Sequence, residues 1–164
     1  MVSVNFQQAN TVHLNEGNGR FVALDRGPLT ESSCKSSCAV FDDLSNDGKI
    51  DLFIGDEGNC LPELFLKAPM NSIFQSMEQN AATSSHSFTE LALAFDADGD
   101  GIDDILDLNA ENTPNMLFKG DGDGGFEQMH AGSLTEEDVI STAKITMPAA
   151  WCSIAITTET WTCS

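Results

Sequence analysis

Two short runs of aspartate carry the chemistry that this sequence can do. In Asp96–Asp104, acids stand at loop positions 1, 3 and 5 (Asp96, Asp98, Asp100), glycine follows at position 6 (Gly101), and an acid returns at position 9 (Asp104). Carboxylates packed this closely repel one another unless a cation sits among them. Alternation at i, i+2 and i+4 aims three side chains at one point, and Gly101 permits the sharp turn that brings Asp104 back to it. The backbone carbonyl of Ile102, at position 7, would complete much of the shell. Ca²⁺ is the natural occupant, because it takes six to eight oxygen ligands in a flexible geometry. A solvated acidic turn would need neither the spacing nor the glycine.

The same device occurs 53 residues earlier, with Asp43, Ser45, Asp47, Gly48 and Asp51 at positions 1, 3, 5, 6 and 9. Each loop follows one short apolar run and leads into another: Ile50, Leu52 and Ile54 alternate with Asp51 and Phe53. The period-2 pattern predicts strands on both sides, so the repeating unit is strand, loop, strand.

A second motif recurs in register with the first. Residues 11–24 read as a hairpin: Val12 and Leu14 alternate, Asn15–Gly19 turns, and Phe21 opens the return strand. Its counterpart is Met116–Phe126, 105 residues on when Phe21 is matched to Phe126. A degenerate middle copy, Leu64–Phe74, lies 52 residues before that counterpart and lacks the turn glycines, which predicts a longer and less regular connection. Polar connections at 22–37 and 75–87 lead into the apolar runs Cys38–Phe41 and Phe88–Phe95. Four antiparallel strands per fifty-odd residues is the size of a propeller blade. Gly120–Gly125 is rich in glycine but has neither the Lys nor the following helix of a phosphate loop, so it reads as turn chemistry.

Composition narrows the class. Twenty-six acids against seven bases give a net charge of −19, which argues against phosphate backbones or anionic lipid and suits cations and extracellular surroundings. At 41% apolar residues the chain buries a core, and no apolar run approaches a membrane span. The N-terminus lacks the basic start and apolar stretch of a signal peptide, which for a calcium-dependent protein leads us to expect a fragment whose true start precedes it. A disulfide from Cys60 to Cys34 or to Cys38 fits an oxidising compartment. A cysteine zinc site is weaker, since no second closely spaced pair completes it.

With both motifs in view, the chain resembles the FG-GAP/VCBS repeat, the unit of seven-bladed β-propellers that include the head of integrin α chains. The resemblance covers about residues 10–130, and without Phe-Gly and Gly-Ala-Pro signatures the VCBS-like variant is the closer match. It implies an all-β fold, a β-propeller fragment of two four-stranded antiparallel blades with flanking half-blades. The blades would be 25–80 and 81–132, after the C-terminal half of a preceding blade (1–24) and before the start of a further repeat (133–164). It also implies calcium at Asp43, Ser45, Asp47, Lys49 (carbonyl) and Asp51, and at Asp96, Asp98, Asp100, Ile102 (carbonyl) and Asp104. The expected role is a secreted or cell-surface module for adhesion or binding of a protein or carbohydrate ligand. The alternative is a non-catalytic propeller segment of a secreted enzyme.

Other calcium loops fit less well. An EF-hand wants Glu at position 12, where these loops have Ile54 and Asp107. A dockerin or thrombospondin type 3 repeat could use Asp107, but a 53-residue spacing is too long for either. No catalytic constellation stands out: His13, His86 and His130 are isolated, and Glu136, Glu137 and Asp138 follow Thr135 as a capped helix start or a solvated turn. The tail departs from the repeat. Ala149–Trp151 arrives where a new first strand is due, but Cys152–Ser164 carries no acidic loop. Codons can be chosen for Thr158–Cys163 that, read in a neighbouring frame, spell Gly-Asp-Leu-Asp-Leu, which resembles the end of such a loop. The expectation is therefore an out-of-frame tail, loosely ordered or paired and without calcium, or else a polar tail with Cys152 and Cys163 available to pair.

Overall fold

The computed structural model describes residues 1–5, 8–24, 27–31, 33–58, 60–67, 74–110, 113–129, 154–157 and 160–163. The described chain is all-β and antiparallel. A first sheet joins β1 (Val2–Ser3), β2 (Thr11–Gly17) and β3 (Arg20–Leu24). A second is a four-stranded meander of β4 (Ser36–Asp42), β5 (Asp51–Asp56), β6 (Glu63–Leu66) and β7 (Gln75–Ser76). The third repeats that order with β8 (Thr89–Phe95), β9 (Asp104–Asn109), β10 (Met116–Gly120) and β11 (Phe126–Gln128). Near the end, β12 (Ile154–Thr157) and β13 (Thr160–Cys163) pair with each other. None of the described helices is long and apolar enough to cross a membrane. The expectations for Thr135, Glu136–Asp138, His130, Ala149–Trp151 and Cys152 fall outside the described residues.

The sheets are layered because strand alternation supplies two apolar faces. In β5 all six residues are buried. Leu52 and Ile54 join Val12 and Leu29 in one core, with Phe65 of the neighbouring strand. Phe53 projects to the other side and packs with Leu64, Ala92, Ile105, Phe118 and Phe126. The second sheet is thus covered on both faces, by the first sheet on one and the third on the other. Such two-sided burial is what a continuous apolar strand, as opposed to a half-polar one, is suited to.

The 53-residue repeat extends to irregularities. The β4–β5 pairing shifts register between Ser36 and Cys38, and the β8–β9 pairing shifts between Thr89 and Leu91, 53 residues on. Each bulge adds one residue at the same place in its sheet.

The middle hairpin has the longer connection its sequence predicts, but one offset does not serve it from end to end. Aligning Leu64–Phe74 with Met116–Phe126 throughout sets Leu64 against Met116, but Phe65 pairs with Leu52 as Phe118 pairs with Ile105, so β6 and β10 are offset by 53. The offset is 52 only beyond the turn, where Ser76 lies opposite Phe65 and Gln128 opposite Phe118. The middle connection therefore holds one extra residue. Leu64 and Phe65 fill different cores on opposite faces of the sheet, and a one-residue slip within β6 would swap them between those cores. The first sheet also has three strands where two were expected, because Val2 pairs with Val12.

Cys34 and Cys60 form a disulfide with Cα atoms 5.9 Å apart. It ties the entry to β4 to the exit of β5. Cys38, the other partner considered, is a free and partly buried thiol whose pKa is pushed up by burial.

Candidate metal centre

Both acidic loops close the same kind of gap. The first joins β4 to β5, whose end residues Asp42 and Asp51 pair, and the second joins β8 to β9, where Phe95 pairs with Asp104. The chain must reverse in eight residues, and it does so with positive φ at Gly48 (82°) and Gly101 (86°), a region that costs glycine little. Asn46 (φ 52°) takes the position that Gly99 (φ 82°) holds in the second loop.

Side-chain acceptors organise the turn. Asp96 accepts the N–H groups of Gly99 (2.7 Å), Asp100 (3.1 Å) and Gly101 (3.0 Å). Asp43 does the same for Asp47 (2.9 Å) and Gly48 (2.8 Å). Asp100 accepts from Ile102, and Asp47 from Lys49, both at 2.9 Å. Asp104, 2% exposed, accepts from Ala97 and from Gly120 on β10, both at 2.9 Å. Asp51, fully buried, accepts from Ser45 (3.0 Å) and from Lys67, at the end of β6 (2.8 Å). Four of these bonds map onto each other by a shift of 53 residues at both donor and acceptor.

The loops differ in what they gather. Carboxylate oxygens of Asp96, Asp98 and Asp104 lie within 4.8 Å of one another. That separation is about twice a Ca²⁺–oxygen distance of 2.3–2.6 Å, so one ion could touch all three. It is the one such grouping among the described residues; Asp43, Asp47 and Asp51 do not draw together in the same way. An all-oxygen, all-anionic donor set suits a hard cation, not zinc or copper. The donor set therefore fits calcium in the second loop, and the first matches it in sequence and backbone bonding.

Lysine ammonium groups are set into both loops. Lys49 reaches Asp47 from within the first loop. Lys119 reaches Asp98 and Asp100 from β10, with the Asp100 contact at 2.8 Å. Lys119 holds the Asp100 carboxyl below the usual range, and Lys49 does so for Asp47. Burial, with like charge from Asp98 and Asp100, pushes Asp104 up, against the pull of the Gly120 and Ala97 N–H groups. Burial likewise raises Asp51.

Sequence spacing showed neither the Lys119 contact nor the meeting of Asp42 and Asp103. Burial first, and then the adjacent Asp42 carboxyl, raise Asp103 to about 6. Asp42 closes β4 of the second sheet while Asp103 leads into β9 of the third, so the acidic loops abut across the layer. The repeat offered no clue to either contact, because Leu66 stands 53 residues before Lys119 and Ile50 stands 53 residues before Asp103. Beside the first loop lies a cleft of about 260 Å³, lined by Ser45, Asp47, Lys67 and Gln75 and by Asp123 from the third sheet's turn.

No family model and no curated protein matches this chain.

Proposed function

We propose that the chain is a calcium-binding β-propeller segment of a secreted or cell-surface protein, serving adhesion or ligand binding. The observation that carries this reading is the correspondence of two strand–loop–strand units. Sheet order, bulge position and loop hydrogen bonds agree at a 53-residue offset. Layered four-stranded meanders are how blades stack, and the Cys34–Cys60 disulfide fits an oxidising compartment.

Calcium's role in this reading is structural. When bound, the ion neutralises the carboxylates at the loop. The chain's own part is to hold Asp96 and Asp104 by backbone N–H groups, so that two ligands are oriented in advance. Metal binding and folding are then linked, and Ca²⁺ raises stability by RT ln(1 + [Ca²⁺]/Kd) per site. Thermal melting of the chain in millimolar Ca²⁺ against EDTA tests this: a higher Tm with Ca²⁺ is expected, and coincident curves would reject the metal reading.

A further inference from the structure

We propose that Lys119 is a tethered counter-cation that sets the calcium affinity of the second loop, a role that rests on the calcium reading above. Its ammonium group contacts both Asp98 and Asp100. Asp98 belongs to the three-carboxylate grouping, and Asp100 supplies position 5 of the loop. Without calcium, Lys119 offsets the repulsion of the acids. For an ion to take these oxygens, the ammonium has to leave them.

Three features of the fold make this more than a chance surface pair. Lys119 lies on β10 directly before Gly120, whose N–H is bonded to Asp104 at 2.9 Å. The strand that supplies the ammonium is therefore anchored to the loop, and the lysine is delivered at a fixed place. Next, Lys119 is paired across the β10–β11 ladder with Glu127. Directly opposed residues project to the same face of a sheet and interact, so a displaced ammonium has a second carboxylate close by. Lastly, the residue 53 positions earlier is Leu66, which carries no charge. The first loop takes its ammonium from Lys49, which reaches Asp47. The two loops are therefore restrained differently, one from a neighbouring strand across two acids and the other from within across one.

The physical consequence is a competition. When the binding-competent arrangement is only part of the population, apparent affinity falls by that fraction. Removing the ammonium removes the competition, and leaves the free loop with unrelieved repulsion. Removing Glu127 takes away the alternative partner and makes departure harder.

Calcium titration by calorimetry, with Tm measured in EDTA, tests the proposal on Lys119→Met, Glu127→Gln and the double variant. Lys119→Met is expected to bind Ca²⁺ about three- to tenfold tighter at the second loop and to melt lower in EDTA. Glu127→Gln is expected to weaken binding, and this effect should vanish in the Lys119→Met background, the mark of a coupled pair. Lys119→Gln serves as a second neutral variant. Unchanged affinity in both Lys119 variants, while calcium still binds, would overturn the lysine's role alone, whatever the EDTA Tm. An effect of Glu127→Gln that persists without Lys119 would overturn the two-partner arrangement. Absence of calcium binding in the wild-type chain and all variants would overturn the calcium reading itself, and this proposal with it.

Discussion

Asp104 is bonded to the backbone of Gly120 at 2.9 Å, which couples the end of the acidic loop to the third strand of its sheet. One repeat earlier, Asp51 holds Lys67 in the same way at 2.8 Å. The last acid of each loop therefore does two things: it faces the loop interior, and it closes the backbone of the strand beyond. The other acids organise the turn, and in the second loop Asp98 and Asp100 meet the Lys119 ammonium, but none of them bonds the backbone of the strand beyond.

That division predicts different costs for two acid substitutions. Asp104→Ala strips acceptors from Ala97 and Gly120 in a buried place, and should lower stability by about 1–3 kcal/mol even in EDTA. Asp98→Ala should leave EDTA stability nearly unchanged while weakening calcium binding. Urea unfolding with EDTA makes the comparison; equal losses would contradict it.

The loops should also rank. The second offers four carboxylates, whereas Ser45 replaces one in the first, and ligand charge tunes calcium affinity. The tighter calorimetric transition is therefore expected to belong to the second loop. Asp100→Ala should remove it and leave the weaker one. Loss of the weaker step instead would reverse the assignment.

A pH effect should come from the opposite end of β5. Asp56 is fully buried, and neither of its carboxylate oxygens has a hydrogen-bond partner. Burial pushes its pKa up to about 6, against a smaller pull from the nearby Ser36 hydroxyl. A carboxyl raised on folding binds its proton more tightly in the folded state. Stability therefore falls as pH rises from about 4 to 6, and the cost is fully present above that window. The residue 53 positions on is Asn109, which accepts the Phe88 N–H at 2.9 Å. Asp56→Asn should accordingly raise stability near pH 7 by about 2 kcal/mol and flatten the pH 4–6 slope. Chemical denaturation at pH 4, 6 and 7.5 measures both. An unchanged slope would mean that Asp56 is not the titrating group.

The Cys34–Cys60 disulfide spans 26 residues. By chain entropy it contributes about 3.5 kcal/mol. The double serine variant should lose most of that, whereas Cys38→Ser should not reproduce it. Denaturation with and without reductant checks this, and an equal loss from Cys38→Ser would count against the pairing.

The local part of this protein is legible in its sequence. Positions 1, 3, 5, 6 and 9 of each loop, the alternating strands and the bounding glycines depend on neighbours within a few residues, the 53-residue period is the recurrence of that local pattern, and the strand and loop positions follow from them. What depended on packing could not be read that way. The register of β6 turned on which of two cores Phe65 would fill, since both faces of its sheet are covered. The choice of Cys34 over Cys38 turned on where the ends of β4 and β5 meet. Lys119 is 21 residues from Asp98 along the chain and reaches it only because β10 lies beside β9 and is bonded to the loop. Asp42 and Asp103 meet only because two sheets are layered. Spacing along the chain specifies which acids each loop carries; the pairing of strands and the layering of sheets determine which of those carboxylates draw together and which lysine stands beside them.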